Sequence, residues 1–397
     1  MDVSSYSLVM GMVNIRGKPS PLATQKMVSL DNEVNDMESK DILYLRLARQ
    51  GLIDPADEDA YETVFRAQQP VPAVYFCEPG TPPQLRDRAA FDDVELNRDL
   101  REDHTIAKGR FAGGNIAYVY ADDLPLYASV YRKPMGVWTE EEEAVHHCLT
   151  HMGPLYKEQI AEEIGLKASA VNKALTRLQR AFLVHADHGD SYDEQLWYDF
   201  CSLYPEIDLE SVDRESALRE ILTRFIRSMA YTGEGQAKDW SRLPMREIKQ
   251  AFEKMADEGV VARIEVDGVA QWALHEDMPL LEKKWPSPPS HTHVMHRADY
   301  LVKAHESELK KRYSGMEILQ YLLIDGVFQG AVTGHWRIGP HDVEDIVVTL
   351  PEAEKKKRRD EIIAEVSKYY NPPFSRVLRY DGGLVYRYIG TGSCLLS

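Results

Sequence analysis

TEEEEAVHHCLTHMGPLYKEQIAEEIGLKASAVNKALTRLQRAFLV, residues 139–184, is the stretch whose reading decides the fold. Thr139 is placed to cap a helix, with glutamates in the first turn where the helix dipole favours negative charge. Gly153-Pro154 breaks that helix. YKEQIAEEIGL then spaces Ile160, Ala161 and Ile164 for a second helix, which Gly165 closes. In KASAVNKALTRLQRAFLV, Ser169 is a candidate cap, and Val171, Ala174, Leu175 and Leu178 recur at helical spacing. Two strand-like pieces, FLVHA and EQLWYDF, follow across the turn-rich DHGDSYD. Helix, helix–turn–helix and hairpin, in that order, predict a winged helix-turn-helix.

The pattern recurs outward from this unit. Downstream, a long helix from Asp213 leads to AKDWSRL. The helix PMREIKQAFEKMADEG then starts with proline near its first position and stops at Gly259, before a hairpin turning at Asp267-Gly268. Upstream, KDILYLRLARQGL and DEDAYETVFRAQQ read as helices, and GRFAGGNIAYVYADDLPLY as strands around Gly113-Gly114, a weaker copy. Three copies make a tandem array. KKWPSPPSHTH reads as a Pro/Ser-rich linker. Beyond it come a hairpin at Asp325-Gly326, the strand VEDIVVTL and the long helix EAEKKKRRDEIIAEVSKYY. The expected fold class is therefore α+β: three tandem winged helix-turn-helix units with a small C-terminal α+β domain. The expected boundaries are an N-terminal extension over 1–38, units over 39–137, 138–210 and 211–282, a linker over 283–293, and the last domain over 294–397.

The chain has 397 residues, 44% hydrophobic and 28% charged, as a globular protein of several compact units should. No apolar run approaches the roughly 18–20 residues of a membrane span, and the first residues lack the basic and apolar blocks of a secretory signal. Four cysteines, none paired as CxxC, fit a reducing cytoplasm. A formal charge of -17 argues against indiscriminate binding to polyanions, but nucleic-acid binding depends on a local basic face.

Such a face lies on the predicted third helix. Residues 164–186 hold Lys167, Lys173, Arg177 and Arg180 and no carboxylate at all. Positions 173, 177 and 180 share one side, opposite the apolar stripe, as a recognition helix needs. The bland alternatives are a solvated charged face or a protein-interaction module. The KKKRR run, 355–359, is flanked by Glu352, Glu354, Asp360 and Glu361 and reads as an exposed helix face with internal ion pairs. His146, His147, Cys148 and His151, and separately His291, His293 and His296, are too few at metal-ligand spacing, so no metal is expected. No GxGxxG, GxxxxGK[ST] or GxSxG pattern occurs, so no nucleotide cofactor and no serine nucleophile is expected.

VFRAQQPVPAVYF, residues 64–76, reads as a helix end before a proline turn that presents Arg66, Gln68 and Gln69. RAQQP, together with LARQGL (47–52), GGNIAYVYADDLPLY (113–127), DWSRL (239–243), VDG (266–268), Asp299 in HRADYL and LLIDGVFQGAVTGHWR (322–337), resembles landmarks of a known family. It is the tandem winged-helix family typified by the AlkZ/YcaQ DNA glycosylases, and the resemblance runs from about residue 41 to 370. The resemblance implies double-stranded DNA as partner and hydrolysis of the N-glycosidic bond of alkylated or cross-linked purines. It also implies that Gln68 handles water, with Gln69 or Arg66 in support. An N7-alkylated purine leaves as a cation's neutral product, so no strong general acid is needed, and an amide can orient water. Two positions depart from the family pattern. Arg66 stands first in the Gln-x-Gln motif and cannot accept a proton, and Ala117 stands where the family has a histidine. A non-catalytic DNA-binding regulator on the same scaffold is the alternative reading.

Overall fold

The computed structural model describes residues 36–72, 83–188, 195–335, 342–370, 376–389 and 393–396. The described chain opens with a short strand, β1 (Asp36–Met37), at the end of the expected extension, and a helix, α1 (Ser39–Arg49). Three successive segments then repeat one order of helix, short extended piece, further helices and hairpin. The first consists of α2 (Glu58–Gln68), β2 (Val71–Pro72), α3 (Val94–Glu102), β3 (Ile106–Phe111) and β4 (Asn115–Tyr120), with α4 (Leu124–Tyr131) after it. The second has α5 (Glu140–Met152), β5 (Leu155–Tyr156), α6 (Lys157–Glu163), α7 (Ala168–Arg180), β6 (Val184–His188) and β7 (Gln195–Asp199), closing on α8 (Phe200–Leu203). The third has α9 (Arg214–Met229), α10 (Glu234–Ser241), α11 (Met245–Asp257), β8 (Val261–Val266) and β9 (Val269–Leu274), closing on α12 (Met278–Leu281).

Sheet order repeats as well. The short strand lies on the second strand of the hairpin, giving β2-β4-β3 and β5-β7-β6. In the third segment it shrinks to Thr232, which exchanges two 2.8 Å backbone bonds with Trp272 of β9. β1 extends that sheet in parallel along β8. Local chemistry explains the boundaries. The Thr139 hydroxyl accepts from the Glu142 N–H while the Glu142 carboxylate accepts from the Thr139 N–H, a capping box. α7 is capped by Lys167, not Ser169: Lys167 is extended (φ -67°, ψ 140°), and Ala168 and Ser169 already lie in the helix. Pro244 likewise precedes α11 as its extended cap instead of entering it. Asp267-Gly268 and Asp325-Gly326 take positive φ at both positions, the requirement of a two-residue hairpin turn. The connection over 189–194 lies outside the described residues.

The C-terminal part is a six-stranded sheet of β10 (Thr292–His296), β11 (Ile318–Ile324), β12 (Val327–Thr333), β13 (Asp345–Val348), β14 (Arg379–Tyr380) and β15 (Gly383–Leu384) in that order. Between β10 and β11 lie α13 (Tyr300–Ala304) and α14 (Glu306–Arg312), and α15 (Glu352–Ser367) follows β13. β10 begins at Thr292, inside the stretch read as linker, because Thr292 already pairs with Ile324 of β11. The KKKRR run is also less exposed than its composition predicts. Arg358 is 5% exposed and donates to Asp325 (2.6 Å) and Glu361 (2.6 and 2.7 Å), tying α15 to the β11–β12 turn.

α9 organises the interior. Its face of Leu218, Ile221, Leu222, Phe225, Ile226 and Met229 joins one core that runs from α4 through the third segment to Tyr300, Leu301, Tyr321 and Phe328. Each such side chain contributes roughly 1.5–3 kcal/mol by burial. The second segment has a core of its own, from Val145 and Leu149 through Val171, Leu175 and Leu178 to Trp197. Phe182 and Phe200 bring that segment into the main core. No described helix is long and apolar enough to cross a membrane. This packing brings the C-terminal end of α2 against residues 84–88 and the β10–α13 turn, where the cleft described below lies.

Candidate active site

The three residues singled out at the end of α2 have different surroundings. Arg66 is held on every side: Nε donates to Glu62 (2.7 Å), and Nη1 to Asp122 (2.9 Å) and Asp123 (2.8 Å). Its Nη2 donates to Asp122 (3.0 Å), and the guanidinium lies 4.1 Å from the centre of the Tyr120 ring. Gln69, 1% exposed, is equally committed: Nε2 donates to Asp123 (2.7 Å), and Oε1 accepts from the Tyr120 N–H (2.5 Å). Asp123 also accepts from Arg224 of α9 at 3.0 Å. Burial pushes its pKa up, but bonds from Arg224 and Gln69 and the charges of Arg224 and Arg66 outweigh that and hold it below 3.8. Arg66 and Gln69 thus clamp α2 to the end of β4 and to α9.

Gln68 differs. It is 3% exposed, and neither its Nε2 nor its Oε1 meets a hydrogen-bonding group of the protein. An amide so buried costs about 1–3 kcal/mol when unpaired, so the site is strained toward a guest that can bond it. Gln68 faces a cavity of about 50 Å³ walled by α2, residues 84–88, β10 and the start of α13. By volume this admits a few water molecules. Three more wall residues carry buried atoms without a protein partner: Arg88 (Nε), Tyr300 (phenol oxygen) and Gln320 (Oε1). The Arg88 guanidinium pairs with Asp299 through bonds of 2.7 and 3.3 Å, which places a carboxylate on the same wall. The Asp299 side chain also caps α13 through the Leu301 N–H at 2.8 Å. His296, at the end of β10, is kept neutral: burial, reinforced by the Arg297 charge, lowers its pKa to about 4. The wall therefore offers donors, acceptors and two carboxylates, Asp87 and Asp299, around a pocket of water size, an arrangement that can orient water and stabilise a nearby positive charge.

A second cavity of about 190 Å³ adjoins the first, sharing Pro72, His296, Ala298 and Tyr300. Phe111, Trp240 and Ala117 give it an apolar wall, and Arg242 and Lys303 give it two cations. Arg242 stands beside the β3–β4 turn, its Cγ 3.2 Å from where a Cβ on Gly113 would lie. The guanidinium of Arg180, at the end of α7, lies 3.6 Å from the same point on Gly114. The glycine turn thus lets one cation from α7 and one from the end of α10 approach its backbone, and Arg242 of the two also lines the cavity. Of the other α7 candidates, Lys167 and Lys173 are exposed, whereas Arg177 is ion-paired with the buried carboxylate of Glu142.

Of the two histidine groups, only His296 reaches these cavities. His147 and His151 stack at 3.9 Å between ring centres, and His146 lies 3.5 Å from Asp199. Among the described residues, no three His, Cys, Asp or Glu side chains gather as a metal ion would require. Sequence reasoning did not reach Arg88, Tyr300 or Gln320, which no spacing links to Gln68. The family landmark at Asp299 was the one signal pointing to that wall.

Comparison with solved structures finds the Streptomyces sahachiroi DNA glycosylase AlkZ, with a TM-score of 0.62 and 15% sequence identity. The alignment covers 87% of this chain and 100% of that one, a likeness of fold. No curated protein matches. The segment that carries the family signature begins after α2, so Arg66, Gln68 and Gln69 lie before it. The model of the AlkZ-like DNA glycosylase family matches residues 84–310, more than half of the chain, and the chain belongs to that family.

Proposed function

We propose that the protein binds duplex DNA and hydrolyses the N-glycosidic bond of alkylated or cross-linked purines, with Gln68 placing the attacking water. The observation that carries this reading is the buried Gln68 amide, both of whose polar atoms lack a protein partner and face a cavity of water size. Its Oε1 accepts from the water and Nε2 fixes its orientation, while the Asp299 carboxylate offsets the positive charge that builds on the sugar. A cationic alkylpurine needs no proton to leave, so the reaction does not require a matched general acid. Arg66 and Gln69 act as positioning residues that hold the end of α2. Their bonds support this assignment over direct water handling. The repeated helix–strand–helix–hairpin order, with its repeated sheet order, supports reading the three segments as winged helix-turn-helix units. The phosphate contacts we assign to Lys167, Lys173 and Arg180 of the second unit, with Arg177 joining when its Glu142 pair opens.

The test scores base release and duplex binding together on DNA carrying N7-methylguanine. We expect abasic sites from the native protein and a loss on the order of 100-fold or more in Gln68→Ala with binding retained. Binding without abasic sites across methylated and cross-linked duplexes would instead establish the non-catalytic regulator. Unchanged release in Gln68→Ala would remove the amide from the mechanism.

A further inference from the structure

Taking the base-release reading as its starting point, we infer that Lys303 gives the cleft a second activity: its amine condenses with the aldehyde of an abasic deoxyribose and cleaves the strand beside it. Among the residues lining the two adjoining cavities, Lys303 is the sole lysine. It stands one helical turn after Asp299, the two joined by a 2.8 Å backbone bond, so one short helix carries both a wall residue of the Gln68 cavity and this amine. The two cavities share Tyr300 on that same helix, so the space that Lys303 lines adjoins the one that Gln68 faces.

The amine is also suited to nucleophilic work. Burial lowers its pKa first, and the charges of Arg242, Lys310 and Arg297 lower it further, to about 8. Glu306, 3.5 Å away, pulls in the opposite direction, but its single charge is divided among Lys303, Lys310 and Arg242. A substantial share of the side chain is therefore neutral near pH 8, where an ordinary lysine is almost wholly protonated.

The steps balance without any added cofactor. Neutral Nζ of Lys303 adds to C1′ of the ring-opened sugar, and the adduct takes up one proton from solvent and loses one water to form the protonated imine. A proton then leaves C2′ for the Glu306 carboxylate or solvent. Its electron pair forms the C2′–C3′ double bond, and the C3′–O bond breaks with the phosphate leaving. Water hydrolyses the imine, returning the free amine and an unsaturated aldehyde on the cut strand. Base hydrolysis at Gln68 and strand cleavage at Lys303 are thus successive reactions on one sugar.

The experiment starts from a duplex with one pre-formed abasic site, so it does not depend on base release. The full chain is incubated with and without borohydride, and denaturing gels score covalent adduct and strand nick. We expect a trapped adduct that peptide mapping places on Lys303, a nick on the 3′ side without reductant, and loss of both to background in Lys303→Arg. Arginine keeps the positive charge but forms no imine, and thermal melting checks that the variant is folded. If it is not, the peptide map of the native protein decides alone. No adduct, an adduct mapped to another lysine, or full trapping by folded Lys303→Arg overturns the inference. A parallel incubation with N7-methylguanine duplex reports the base-release step separately, so failure of one reading is distinguished from failure of the other.

Discussion

At the scale of single residues, one helix end holds three polar side chains in two different bonding environments, and burial alone does not separate them. Gln68 and Gln69 are both almost fully buried, yet Gln69 has its two polar atoms bonded and Gln68 has neither. The sequence shows three candidates within four positions; the partners that sort them, Tyr120, Asp122 and Asp123, lie more than fifty residues away. That distance is why the stretch was legible as a helix end before a proline turn but not as three side chains with different partners. His296 extends the point to acidity. Its folded pKa of about 4 lies below the ordinary 6.5, so below pH 6.5 the unfolded chain takes up a proton that the folded one refuses. Stability is therefore present at neutral pH and falls as pH drops from about 6.5 toward 4, by up to about 3 kcal/mol. Urea unfolding at pH 7 and 4.5 should show a smaller drop for His296→Gln than for the native chain. Equal drops would place the group's titration elsewhere.

At the scale of elements, helices and hairpins were legible because apolar spacing, caps and Asp-Gly turns act over a few residues, as with the Thr139 capping box and Asp267-Gly268. The errors were also local: a cap two residues early at Lys167, a strand starting at Thr292 instead of after the linker. The Gly113-Gly114 turn was legible as a turn, but not as the place where Arg180 and Arg242 converge. Gly113 has φ of 80°, and an added Cβ would press on the Arg242 side chain at 3.2 Å. Gly113→Ala should cost about 1–2 kcal/mol in backbone strain, seen as a lower melting temperature. α7 carries a separate expectation. Lys173 is exposed, while Arg177 is engaged with Glu142. Lys173→Ala should therefore reduce the slope of log affinity against log salt by about one, uniformly across sequences. An unchanged slope, measured by gel shift at several salt concentrations, would take α7 out of the phosphate contacts.

At the scale of the whole molecule, a chain of charge -17 lines two adjoining cavities with cations, Arg88 in the first and Arg242 and Lys303 in the second, from three different parts of the sequence. No composition window could have found them together, since the core around α9 is what folds those parts onto one another. The three repeated segments also differ at one junction, between the first helix and the short strand. α5 ends on Gly153 (φ 84°) and α9 on Ala230 (φ 64°), left-handed residues that turn the chain away. α2 ends on Gln69 (φ -59°, ψ 142°), ahead of a proline. α2, without a left-handed stop, carries long amides to its very end, Gln68 in its last turn and Gln69 at its cap. The other two segments hold a small residue at that stop, so the first is the one whose helix end reaches into the Gln68 cavity.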